Sequence, residues 1–523
     1  MEVVRSELSS RLAASLANAL LKDLNEMKLL NLPNGIKLET LLFDKSKIDR
    51  SKLKVKSISS EHEDKIKKKF LCIGADGRSD KKTKTFEETI NHEGIMKQKQ
   101  ITKDEHHITF TYENCEDNGV YLTHRTIPSE GSTGELQAHE TYKVLEEYDS
   151  LSTLKAVLLD NTATNTGYKS GLVVKLEQIL ERKLHTVGCM LHWNELPMRA
   201  VFKSIDGEST GPTTFSGTIG KQAAIDQHDK PQVKFEPIIT CMIELPPDVV
   251  QDLSTDQRML YEYTLGISEG KIDPVWASRK CGPLNHARWL TLAIRVIMIY
   301  TRSIKPSLKL IRLVKFVVKI YSQSWFRIKG ASSLAEAPAI VFELISRLKD
   351  LNDTAITKVV KKNIQNNSFC LLSDNFIYSL VCSQDFQIRD LGLEAIQRIR
   401  SEGRTFALEP AKKIPTINFD ASCWSGLIDL KDVSVLREPA VTTDLTDSDI
   451  ESHRANFTKP QLPNLPIHSQ SVERAVKLVT EASEKFVGYE SRHRAILTKV
   501  LSRKCRPNFE SKGKYEESYS DLF

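Results

Sequence analysis

Two aspartates carry the first chemical signal. Asp76 follows the apolar run of residues 70–75 (FLCIGA) and precedes Gly77, while Asp160 follows the run 154–159 (LKAVLL) and precedes Asn161 and Thr162. A short apolar run that stops at an acidic residue reads as a buried strand with a polar group just past its carboxyl end, where open α/β sheets collect their ligands. Were the two strands neighbours, the carboxylates would share one crevice and repel, and a divalent cation relieves such repulsion. Mg2+ or Mn2+ suits hard oxygen donors, and a pair of ions about 4 Å apart can activate a water or hydroxyl and stabilise the leaving oxygen of a phosphodiester. A third carboxylate normally completes such a site. The triplet Asp160-Asn161-Thr162 has an equally good use as a turn or helix cap, since Asp accepts from backbone N–H groups two or three residues on.

The elements that must position these groups follow in a clear order. Residues 70–75 read as a strand. Residues 107–113 (HITFTYE), rich in β-branched and aromatic side chains, read as a second, and 120–127 (VYLTHRTI) as its hairpin partner across the Asp117-Asn118-Gly119 turn signal. A helix is expected over 134–148, a buried strand over 154–159, an amphipathic helix over 170–181, a short strand over 184–189 and a helix over 191–205. A hairpin followed by strands alternating with helices predicts antiparallel and then parallel pairing. The expected fold is therefore α/β, a mixed sheet with helices on both faces, in the element order of the ribonuclease H-like fold.

Beyond residue 250 the pattern turns helical. Residues 284–301, 306–321, 337–350, 353–365 and 385–400 carry helical periodicity, and 405–468 is proline-rich and reads as an extended connection. Helices over 471–486 and 490–503 follow. Four units result: an N-terminal helix and basic linker (1–64), the first part of a sheet core (65–250), an all-α insertion (251–404), and a connection with helices that complete the core (405–523). At the N-terminus, Val4, Leu8, Leu12, Leu16, Leu20 and Leu24 mark one apolar helical face. The lysines from Lys45 to Lys69 suit a solvated linker, a phosphate-binding arm or a nuclear import signal. On 306–321, Lys309, Arg312, Lys315 and Lys319 recur at helical spacing opposite Leu310, Val314, Val317 and Tyr321, so a basic stripe could lie along a phosphate backbone; the bland alternative is a solvated helix face.

Composition narrows the class. The chain has 523 residues, 40% hydrophobic and 27% charged, and a formal net charge of +6, a mild basic excess compatible with a polyanionic partner. Its nine cysteines include no C-x-x-C pair, which argues against a disulfide scaffold and a structural zinc finger. The sequence opens without a signal-peptide pattern, and its most apolar stretch, 289–300, is interrupted by Arg295 and too short to span a bilayer, so no membrane partner is expected.

The segment from Leu154 to Leu196 resembles the hAT superfamily of DNA transposases: Asp160, Asn161 and Asn165, then Cys189, His192, Asn194 and Leu196, fall in the family's order. Downstream, NHARWLTL resembles the family's Arg-Trp motif at Arg288 and Trp289, and PIHSQSVERAVKLV its Glu-Arg helix at Glu473 and Arg474. The resemblance runs in islands from about residue 69 to 503. It implies a DDE-type site in which Asp76, Asp160 and Glu473 hold Mg2+ or Mn2+, DNA as partner, Trp289 stacked on an unpaired base, and a nuclear protein, either an active transposase or a domesticated, inactive DNA-binding or protein-interaction derivative; a homo-oligomer is compatible with it. Base–aromatic stacking is worth about 1–3 kcal/mol. Glu473, with Lys477 four residues on, also suits a plain exposed helix pair, and Trp289 plain core. Cys189 and His192 have no second pair at zinc spacing, so a structural role is expected. Three departures stand out. Gly77-Arg78-Ser79-Asp80 replaces the family's Trp-Thr-Ser and makes Asp80 a rival to Asp76; the aromatic residue after Glu473-Arg474 is missing; and the sequence shows no BED-type zinc finger.

Overall fold

The computed structural model describes residues 9–30, 37–52, 69–90, 96–113, 119–127, 133–211, 213–225, 227–284 and 288–504. At its centre is one five-stranded mixed sheet of β1 (Cys72–Ile90), β2 (Met96–Tyr112), β3 (Val120–Ile127), β4 (Ala156–Leu159) and β5 (His185–Gly188), in the order β3-β2-β1-β4-β5. The pairs β1–β2 and β2–β3 are antiparallel, and β1–β4 and β4–β5 parallel. Hairpin and crossover connections thus give the pairing that the element order predicts.

One strand differs from expectation. β1 does not end at Asp76 but continues to Ile90 and pairs with an equally extended β2, from Ile73 opposite Tyr112 to Ile90 opposite Met96, with an irregularity between Asp80 and Thr83. Residues 77–90 and 96–106 are mostly polar, with Phe86, Ile90, Met96 and Ile101 as isolated apolar residues and no sustained alternation, so cross-strand pairing is what marks them as strand. Glu87 facing Lys99 is one such pair of opposite charges.

Side-chain alternation assigns the two sheet faces. Ile73, Ala75, Val157 and Leu159 pack with α2 (Gly134–Glu147) and α3 (Leu172–Leu180), following α1 (Ser10–Glu26), in one buried cluster. Cys72, Ala156, Leu158 and Val187 face the other way, into a second cluster with α4 (Met190–Asp206). That cluster runs without a break into a helical block of α5 (Thr255–Glu269), α6 (Arg288–Tyr300), α7 (Leu308–Phe316), α8 (Ser322–Lys329), α9 (Ala337–Arg347), α10 (Thr354–Asn367) and α11 (Ser373–Val381), while α12 (Phe386–Ser401) packs on α11 in a separate cluster with Ile377, Val381, Leu393 and Ile396. A π-helical turn, Val317–Tyr321, joins α7 to α8. The helical block shares the core of the sheet's second face.

The extended connection after α12 is tied down by buried charge. Lys412 Nζ donates to Leu184 O and to Thr186 Oγ1 (2.7 Å), and lies 3.3 Å from both Glu177 and Asp374. Arg437 reaches Glu177 at 3.3 Å, and Lys183 reaches Glu409 at 3.3 Å. The chain then returns to the sheet as α13 (Gln470–Ser483) and α14 (Tyr489–Lys504). α13 packs across β1 at Gly74, where a Cβ would stand 2.5 Å from Val472 Cγ2 and 2.5 Å from Thr111 Oγ1. Only a residue without a side chain admits the helix this closely. By contrast the apolar face of α1 points outward: Leu12, Leu16 and Leu20 are exposed, and the contact is made by Ala13 and Ala14. No helix among the described residues is long and apolar enough to cross a membrane.

Candidate functional site

Parallel register brings the two aspartates together. Cys72 pairs with Ala156 and Gly74 with Leu158. The same offset, carried two residues further, sets Asp76 beside Asp160, on the face shared with α4 and α13. Asp76 lies inside β1 rather than at its end, because β1 continues along β2 where β4 has already stopped. The stop is made by Asp160 itself: its Oδ1 accepts from Thr162 N (3.0 Å), Thr162 Oγ1 (2.7 Å) and Asn165 Nδ2 (2.6 Å), turning the chain into the short helix Ala163–Thr166. The turn and the site therefore use one residue. All three donors fall on Oδ1, and none of them occupies Oδ2.

Glu473 enters from the first turn of α13, fixed by Ser469 Oγ, which donates to Oε1 at 3.3 Å. The charge of Asp160 acts on both other carboxyls. Burial, then the charges of Asp160 and Glu473, push Asp76 up to about 7, against the Gly77 N–H and Arg78. Burial and Asp160 likewise raise Glu473, against Ser469 and Arg474. Yet the Glu473 side chain is exposed and Asp76 and Asp160 are partly exposed. Crowded but water-accessible carboxyls describe an open crevice. Among the described residues no three His, Cys, Asp or Glu side chains stand close enough to enclose a metal ion, so the trio is coupled across a gap.

Glu195 on α4 was not foreseen. Burial and the nearby Glu473 push it up to about 8. Nothing in its local sequence, HWNELP, distinguishes it from a surface glutamate; only burial in the fold and the nearness of Glu473 do.

Asp80, the rival of Asp76, is taken up by other partners. It is buried, bonded to His107 Nδ1 (2.8 Å) and Thr480 Oγ1 (2.8 Å), with Arg78 at 3.6 Å. His107 also meets Glu105 at 3.1 Å, and Arg492 joins Glu105 at 3.2 Å. Burial works against the His107 charge, but the bonds to Asp80 and Glu105 outweigh it and raise its pKa. This balanced cluster fastens α13 and α14 to the β1–β2 ribbon.

Cys189 is buried, and His192 is half-buried in the first turn of α4. Cys189 caps α4, its Sγ accepts from Ser469 N (3.4 Å), and its carbonyl accepts from Asn161 Nδ2 (3.1 Å); Met190 N donates to Ile467 O (3.0 Å). The block thereby joins the ends of β4 and β5 to the start of α13. Burial, then Glu473, pushes the thiol up to about 12, which keeps it protonated and a poor metal ligand. Asn194 is buried and donates to Tyr321 O (3.0 Å), tying α4 to the π-helical turn.

Two expectations about DNA contacts need correction. Trp289 is not presented for stacking on a base: it is 8% exposed and packs edge-on against Phe202 at 6.1 Å, because α6 is apolar around most of its circumference. In the basic stripe, Lys309 and Lys315 are exposed and Lys319 is half-buried, but the fork of Arg312 is filled by Asp353 at 2.6 and 3.0 Å. The Arg288 side chain lies outside the described residues.

No protein-family model matches the sequence, and no curated protein does either.

Proposed function

We propose that this chain is a hAT-like transposase or a domesticated derivative, built for metal-dependent DNA strand cleavage and transfer on a ribonuclease H-like core with an all-α insertion. One observation carries the reading: Asp76, Asp160 and Glu473, drawn from three remote segments, lie toward one sheet face, where the charge of Asp160 helps raise the proton affinity of both Asp76 and Glu473. A fold driven only by stability has no reason to gather three like charges. The strand order and the covered sheet faces support the fold part.

Three carboxylates supply the oxygen donors that a hard divalent cation takes, but among the described residues they do not stand close enough to enclose one. Asp76, Asp160 and Glu473 would hold Mg2+ or Mn2+, and the bound ion would activate a water or hydroxyl and stabilise the leaving oxygen of a phosphodiester. The residues around them have separate tasks. Thr162 and Asn165 hold Asp160 in place, Ser469 holds Glu473, and Cys189 fixes the approach of α13.

The test is strand nicking of supercoiled and linear DNA with Mg2+ or Mn2+. Cleavage by the native protein and its loss in Asp160→Asn and Glu473→Gln support the reading; equal nicking by native and Asp160→Asn protein contradicts it. A second reading, a non-catalytic derivative that still binds DNA or protein partners in the nucleus, draws on the gap between the carboxylates. Binding of DNA without metal-dependent cleavage would favour it.

A further inference from the structure

Directly beside Glu473 the chain builds a second polar feature. A cavity of about 350 Å3 is lined by Asp252, Lys329, His468, Gln470, Ser471 and Arg474. Lys329 is the last residue of α8, and its side chain is 8% exposed. Arg474 follows Glu473 on α13 and is half exposed. Between them stands Asp252, at the end of the short helix Pro247–Asp252 and more than half exposed. A single oxygen, Oδ2, receives both cations, Lys329 Nζ at 3.1 Å and Arg474 Nη2 at 3.2 Å. Lys329 also donates to Gln470 Oε1 at 2.9 Å.

Three further facts make this more than a surface ion pair. Lys329 is buried on the cavity side, where an unneeded ammonium would be expensive to place. His468 keeps a buried Nδ1 without a hydrogen-bond partner, and it is held neutral by burial and by the neighbouring Lys329. No side chain caps the start of α13, whose positive end opens here. The fourth wall is Glu113, whose Oε1 is already taken by Ser471 Oγ at 2.7 Å.

We infer that Lys329 and Arg474 form a clamp for a backbone phosphate of a nucleic acid, and that Asp252 occupies the phosphate's place in the free protein. One carboxylate oxygen bridging two cations reproduces the contacts of a non-bridging phosphate oxygen. The clamp residue Arg474 directly follows Glu473 on α13, so a strand held in it passes the proposed cleavage site. Its identity as a nucleic-acid clamp rests on the function proposed above.

The experiment measures fluorescence anisotropy of a short labelled DNA, single-stranded and duplex, in EDTA, so that binding is read apart from cleavage. Asp252→Asn removes the internal competitor and is expected to tighten binding roughly twofold to fivefold, the span of an exposed ion pair. Arg474→Gln is expected to weaken binding and to lower the slope of log affinity against log salt by about 1, one phosphate contact. Lys329→Gln should act in the same direction; Arg474 is the primary variant because its exposed side chain leaves folding undisturbed. Unchanged or weaker binding by Asp252→Asn, or an unchanged slope in Arg474→Gln, overturns the clamp. Should DNA binding shift in opposite directions as expected while metal-dependent cleavage is absent, the clamp stands and the catalytic reading falls. Competition by inorganic phosphate equal to that by DNA of the same phosphate concentration would assign the site to a free anion and overturn the nucleic-acid assignment.

Discussion

Two groups of charged side chains in this molecule follow opposite rules. Around Lys412, Glu177, Asp374 and Glu409 stand against Lys412, Arg437 and Lys183, so that every buried charge has an opposite beside it. Burial opposes the Asp374 charge, but Lys412 wins, and the carboxyl stays below its usual range. Around Glu473 the carboxyls outweigh the nearby cations Arg78 and Arg474, and Asp76, Glu473 and Glu195 are all raised. The first group lowers the free energy of the fold that closes on it; the second raises it. Compensated charge is what an extended connection needs for anchorage. Uncompensated charge at a crevice invites a ligand of the opposite sign.

The comparison breaks most visibly at Lys412. Lys412→Ala strands Glu177 and Asp374 without a cation, and removing one partner of a buried pair costs about 3–5 kcal/mol. Urea unfolding should show that loss in the midpoint, and a loss near zero would mean that the connection is not held by these charges. Next in size is Gly74→Ala. The added methyl meets Val472 and Thr111, and overpacking of this kind costs about 1–3 kcal/mol. The same push moves α13, so metal-dependent cleavage should fall further than stability does; a variant as active as the native protein would detach the helix position from the site.

The carboxylate group predicts the reverse sign. Asp76→Asn removes one of three mutually repelling groups and should leave the metal-free protein as stable or more stable, while abolishing cleavage. The pH dependence sharpens this. Asp76 binds its proton more tightly folded than unfolded, so its contribution to stability is complete below the unfolded pKa and lost as pH rises through about 7. Glu113, also raised to about 7 by burial, acts in the same sense, whereas buried His124, lowered to about 2, destabilises the fold as pH falls below its unfolded value. The informative quantity is therefore the difference between native and Asp76→Asn melting temperatures in EDTA. That difference should move in favour of the variant between pH 5 and pH 8 (pH values chosen to bracket the span from about 4 to about 7), and a flat difference would refute the coupling. The smallest effect is the modest tightening expected of Asp252→Asn.

Much of this arrangement was legible in the sequence. Apolar runs ending at Asp76 and Asp160, and helical periodicity from residue 284 onward, give the sheet order and the helical block because both are local patterns. The long β1–β2 ribbon was not, since lysines and glutamates paired across two strands leave no apolar alternation. Glu195, Asp252 and Lys329 were invisible for another reason: each acquires its role from a segment far away in the chain, as Lys329 does from Asp252 and Gln470. The family resemblance supplied Glu473, which no spacing rule connects to Asp160. It misled at Trp289, where the local apolar helix outweighed the motif.

The central claim is that Asp76, Asp160 and Glu473 form one metal centre. Titration of Mn2+ followed by electron paramagnetic resonance tests it without reference to activity. The native protein should bind Mn2+, Mg2+ should displace it, and Asp76→Asn, Asp160→Asn and Glu473→Gln should each weaken binding at least about tenfold, as expected when a carboxylate ligand is lost. Equal Mn2+ affinity in the native protein and all three variants would contradict the account.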